Sequence, residues 1–204
     1  MKKILSTLII AVTFCTTAFS QTQSKGIEAG INIGYSSSTA ISNNATNSTY
    51  KTGFNAGLSA ENYFSDRWGL KVKVIYDQKG WKEGYITDYN GHLVFTDYNL
   101  DYVTVPVMAN WHFGRTRNWY LNFGPYIGFL VNAKAPGANL DLKDYINSTD
   151  AGLALGIGIK FKIAEKTKLF IDYDAQAGAT DIIKNNTGSS ISLSRASFNV
   201  GLNF

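Results

Sequence analysis

After residue 24 the apolar positions recur every second residue, and no stretch carries the three-to-four spacing of a helix face. The clearest run is Leu153, Leu155, Ile157, Ile159, Phe161 and Ile163, interleaved with Gly152, Ala154, Gly156, Gly158, Lys160 and Lys162. Successive side chains of a strand point to opposite faces, so one face of this segment is wholly apolar and the other small or cationic. Few strands of water-soluble proteins are so two-sided.

The same alternation predicts eight strands, near 25–36, 52–64, 68–80, 99–113, 118–131, 151–163, 167–179 and 191–204. Each has the about 9 to 11 residues with which a tilted strand crosses a bilayer, with some to spare. One face presents apolar rows such as Ile27, Ile31 and Ile33, or Val103, Val105 and Val107. The other carries Glu28, Glu61, Lys71, Lys73, Asp77, Asp101, Lys160, Lys162, Asp172, Asp174 and Arg195. Strands in hydrocarbon must pair every backbone group and turn their charges away from lipid, which a closed barrel achieves. The expected fold is therefore all-β, an eight-stranded antiparallel transmembrane barrel in up-and-down order. An eight-stranded barrel is just wide enough for its own side chains, so the charged rows are expected to pair across the lumen and plug it. A charge-selective small-solute channel is the alternative use of the same rows.

The connections alternate in length. Ser65 to Arg67, Gly114 to Arg117 and Ala164 to Lys166 are short; Tyr35 to Lys51, Gly80 to Tyr98, Asn132 to Asp150 and Thr180 to Ser190 are long. An even strand number puts both termini with the short turns, on the periplasmic side, and the long loops outside. Asn90-Gly91 within the second long loop predicts a two-residue hairpin turn, so strands three and four extend as a ribbon beyond the bilayer. Pro106 removes a ladder donor and is expected to mark a bulge. Tyr63, Phe64, Trp68, Trp119 and Tyr120 near the short turns are expected as an interfacial aromatic girdle.

Lys2 and Lys3 precede an apolar run from Ile4 to Phe14 and small residues ending at Ser20. This is the pattern of a secretory signal peptide, too short for a membrane helix, which divides the chain into a signal at 1–20 and one barrel domain at 21–204. Cys15, the only cysteine, falls in that signal, so the exported chain can form no disulfide. Phe14 stands where a lipoprotein would need a small residue. Without Lys2 and Lys3, Lys+Arg falls from 19 to 17 against 15 acidic residues, a formal +2 that names no nucleic-acid partner.

Leu100-Asp101-Tyr102-Val103-Thr104-Val105-Pro106-Val107, then Trp119-Tyr120-Leu121-Asn122-Phe123-Gly124-Pro125-Tyr126, resembles the PorT-like outer-membrane barrels of Bacteroidetes. The likeness spans nearly the whole exported chain. Its last strand is similar to the C-terminal signal read by the barrel-assembly machinery, carried by Phe198, Val200, Leu202 and Phe204. Some members of the family are implied to serve the type IX secretion system. The resemblance thus implies outer-membrane lipid, the assembly machinery and envelope or secretion proteins as partners, and it fixes the barrel far better than an activity.

Candidate chemistry is sparse. His92 lies in the hairpin loop and His112 at the end of the fourth strand, so the two are expected far apart, and no thiol is available as nucleophile or ligand. Asp88, His92 and Asp97 could approach one another but read more simply as a solvated hairpin tip. The glycines at 152, 156 and 158 lack the helix and Lys-Ser/Thr of a phosphate loop, and in a narrow barrel they make room inside. No enzyme, metal or cofactor is expected. A lipocalin-like periplasmic binder would turn the apolar faces inward, and the terminal Phe204 and the loop asymmetry speak against it.

Overall fold

The computed structural model describes residues 26–42, 48–87 and 91–204. Its strands are β1 (Ile27–Ser42), β2 (Thr49–Tyr63), β3 (Trp68–Thr87), β4 (Leu93–Phe113), β5 (Trp119–Ala135), β6 (Leu140–Asp141), β7 (Thr149–Lys162), β8 (Lys168–Gly178) and β9 (Ile191–Asn203). All except β6 join one antiparallel ring of eight, in the order β1-β2-β3-β4-β5-β7-β8-β9. It closes where β9 pairs with β1, from Gly30 opposite Asn203 to Ser42 opposite Ile191. This is the expected eight-stranded meander, and closure gives each of the eight ring strands a neighbour on both sides. The proposed signal segment, 1–20, lies outside the described residues.

The apolar rows face outward. Ile31, Ile33, Phe54, Leu58, Leu153, Leu155 and Phe198 are all exposed, and their neighbours in sequence are turned inward. That is the reverse of a lipocalin-like wall. The lumen is narrow enough to demand glycine in places. A Cβ at Gly158 would sit 2.5 Å from the Tyr120 ring, and one at Gly201 would sit 2.4 Å from Phe170.

Several strands outrun their expected ends. β3 and β4 have 20 and 21 residues and stay paired as far as Thr87 opposite Leu93, which makes the expected ribbon. The expected two-residue turn at Asn90-Gly91 lies partly outside the described residues. The register leaves 88–92 as the connection, and Gly91 adopts a φ of 82° while Asn90 is outside the described residues. Likewise β1 and β2 leave only 43–48 between them, so much of the first two predicted loops is strand.

Pro106 makes no bulge. Val72 opposite Val107 and Ile75 opposite Thr104 keep one register on either side of it, and Pro106 itself pairs with Tyr126. The missing donor affects one ladder only, and the long paired stretches around it hold the register. The ladders slip instead between Trp81 and Gly84 and between Asp101 and Tyr102.

The aromatic girdle also differs in membership. Trp68, Trp111, Phe113 and Trp119 stack in succession near the short turns, with ring centroids 5.1 to 6.3 Å apart. Tyr120 instead points into the lumen and is fully buried, because its position alternates with the outward Leu121 and Trp119.

Candidate functional site

The interior is the region that the sequence singles out, and it is built in tiers. Nearest the short turns, Lys160 Nζ donates to Glu28, to Glu61 at 2.9 Å and to the Tyr63 hydroxyl at 2.9 Å. Glu61 also accepts from Asn110 at 2.7 Å and lies 2.7 Å from His112 Nε2. Glu28 further accepts from Lys168 and, at 2.6 Å, from Asn203. Each carboxylate here is shared by several donors, as a charge removed from water requires.

At mid-height Arg195 binds Asp77 through Nε at 3.1 Å and Asp174 through Nη1. Lys73 lies 3.4 Å from Asp174 and 3.5 Å from Asp172. Asn199 donates to both aspartates, at 2.7 and 2.9 Å, and Tyr120 donates to Asp172 at 2.9 Å. Lys71 has no hydrogen-bond partner among the described residues; its ammonium lies 4.8 Å from the Tyr120 ring centroid and 5.4 Å from that of Phe170. Higher still, Lys79 meets Asp150 at 3.3 Å between the rings of Tyr102 and Tyr126.

Above this level the interior becomes apolar. Trp81, Leu100, Tyr102, Ala133, Leu142, Ile146, Ile182 and Leu193 form one buried cluster that draws in the connections after β5 and β8. A backbone bridge between Ile146 and Ile183 ties those connections together. Beyond the belt, Tyr98 packs against this cluster and stacks on Trp81 at 4.2 Å, and burial pushes its phenol above the ordinary value.

Most of the charged residues read from the sequence come together here: Glu28, Glu61, Lys71, Lys73, Asp77, Lys160, Asp172, Asp174 and Arg195. Two do not. Asp101 has the same parity as the outward Val103, lies on the outer wall above the apolar belt and accepts from Asn132 at 3.1 Å. Lys162 is exposed at the rim beside the short turns. Four charged or titratable participants are absent from the rows read in the sequence: Lys79, Lys168, Asp150 and His112. The alternation Lys71, Lys73, Asp77, Lys79 carries the signal for the first, and Asn110 with His112 that for the last. Phe198, Val200 and Phe204 are exposed on the outer wall with Leu202 partly so, and the backbone of Phe204 pairs with Ala29. Among the described residues no group of three or more His, Cys, Asp or Glu side chains could hold a metal ion.

A family model described as outer membrane protein beta-barrel domain matches residues 19–184. The chain is similar to the outer membrane protein OprG from Pseudomonas aeruginosa, at 14% identity over 90% of this chain and 97% of that one, with a TM-score of 0.51. The two share a fold. Neisserial surface protein A aligns at 14% identity over 88% of this chain and 98% of its own, with a TM-score of 0.48. Ail, the attachment invasion locus protein of Yersinia pestis, solved in complex with the heparin analogue sucrose octasulfate, aligns at 17% identity. That alignment covers 87% of this chain and 99% of Ail, with a TM-score of 0.46. No curated protein matches the chain.

Proposed function

The chain belongs to the outer membrane protein beta-barrel domain family, and from that premise we propose that it is a closed, non-conducting barrel that offers its long-connection end as a contact surface. Its place is the outer membrane, with the apolar belt against lipid. The observation that carries the reading is the double filling of the lumen: a network of buried ion pairs from Glu28 to Asp150, and above it the apolar cluster around Leu100 and Ile182. A barrel this narrow has no room for a wide pore beside such side chains.

On this reading residues 1–20 export the chain, and both termini lie with the short turns in the periplasm. Phe198, Val200, Leu202 and Phe204 are the strand read by the assembly machinery. The likeness to PorT-like barrels supports envelope or secretion-system proteins as partners, met through the outer connections. The ribbon supports the same surface role, since it carries the exposed side chains of Tyr85, Leu93 and Phe95 away from the belt.

Planar-bilayer recording of the refolded barrel tests the proposal. The expected trace stays at baseline, and steady ion-selective openings would overturn it in favour of a small-solute channel.

A further inference from the structure

A cavity of about 300 Å³ opens at the short-turn end, between the turns after β2 and β4 and the ends of β7 and β8. Its lining is weighted towards donors. Lys162 and Lys168 face each other directly in the β7–β8 register, on the lumen parity of both strands. Arg117 covers the other side with Thr116 and Asn118, and Lys160 lines it as well. Like charges directly opposite across a ladder repel; Glu28 offsets Lys168, which leaves Lys162 as the uncompensated charge of the pair.

The carboxylates nearby are already engaged. Glu28 takes Lys160 and Lys168, Glu61 takes Lys160, and Asp66 lies 3.3 Å from Arg117. Lys162 has no ion pair among the described residues. Two ammonium groups and a guanidinium converging on one space, with a hydroxyl and an amide beside them, match a tetrahedral oxyanion whose several oxygens accept at once. The volume lies at the lower end of the range for small-molecule sites and exceeds what one bare ion fills.

We propose that this vestibule binds a phosphate group, either free or as part of a phosphate-bearing lipid headgroup of the adjoining leaflet. The site is independent of whether the lumen conducts, so open-channel recordings would leave it standing. Only its assignment to the periplasmic face rests on the proposed orientation.

The test uses the full chain folded in uncharged maltoside micelles, with heat-modifiable gel migration as the check of folding. Inorganic phosphate is titrated at fixed ionic strength and followed by phosphorus NMR line width. A parallel titration uses short-chain phosphatidylglycerol, with short-chain diacylglycerol as its phosphate-free counterpart. Saturable binding is expected, weakened on the order of tenfold in K162Q/K168Q. The single variant K162Q, which sacrifices no ion pair, is expected to lose about fivefold. K82Q, on the exposed ribbon, removes the same charge elsewhere and is expected to change nothing. Saturation by free phosphate identifies a soluble ion as ligand, and saturation by phosphatidylglycerol alone identifies the headgroup. Absence of saturation with either probe, or equal binding by folded K162Q and the parent, would overturn the site.

Discussion

Near the short turns β4 sends Val103, Val105 and Val107 outward and Thr104, Asn110 and His112 inward, whereas nearer the long connections the same strand sends Asp97, Asn99 and Asp101 outward and Leu100 and Tyr102 inward. β9 repeats the inversion, with Phe198 and Val200 outside Arg195 and Asn199 below, and Ser192 and Ser194 outside Leu193 above. One continuous ring thus serves two solvents. Where lipid touches the wall, an outward charge costs about 2 to 4 kcal/mol at mid-depth, so polar groups go inside and must satisfy one another. Where water touches the wall, the interior reverts to an ordinary apolar core. The two halves should therefore fail differently when perturbed.

The largest effect is expected in the charged half. Arg195→Met keeps most of the volume but leaves Asp77 and Asp174 buried with less compensation, at a cost of about 3 to 5 kcal/mol. Urea unfolding in micelles should show the loss for the whole barrel. In the apolar half, Leu142→Ala removes packing from a residue that is 1% exposed, at about 2 to 4 kcal/mol. Here limited proteolysis should find the connections after β5 and β8 opened, while heat-modifiable migration of the barrel persists. If Leu142→Ala lowered the barrel's urea midpoint as far as Arg195→Met, the halves would be a single cooperative unit.

This inversion also explains what the sequence reveals and what it conceals. Strict alternation over residues 151–163 exposes the barrel, because lipid on one side and a filled lumen on the other impose opposite chemistry on neighbouring residues. The upper parts of β3 and β4 are hidden because apolar residues change parity there and the ladders slip by a residue, which ends a constant-parity pattern at 80 and resumes it only at 99. Polarity alone points Asp101 into the lumen, a rule that fails once the strand leaves the belt. Asp150 falls inside the predicted long connection from Asn132 and so carries little phase information, although it is the second residue of β7. Nor can partners across the lumen be read in advance. Lys160 and Glu28 are 132 residues apart on β7 and β1, strands that are not ring neighbours, and only tilt and closure bring them together.

The smallest effect on stability is expected at the rim, where neither solvent rule holds and water reaches both partners. Asp66 and Arg117 lie 3.3 Å apart with side chains 51% and 46% exposed. Such a pair gains little in high dielectric and is screened by salt, so Asp66→Asn should move the unfolding free energy by no more than about 0.5 kcal/mol. The Ser65 hydroxyl, which accepts from the backbone of Arg67 and Trp68, holds the turn in either case. Binding at the vestibule should respond more than folding does. Removing this carboxylate releases Arg117 and takes a negative charge from the cavity wall, so phosphate should bind Asp66→Asn a few-fold more tightly, and the gain should shrink as salt is raised. A stability loss comparable to that of Arg195→Met would mean that the rim pair is structural, joining the rim to the buried network instead of leaving it as an exposed margin.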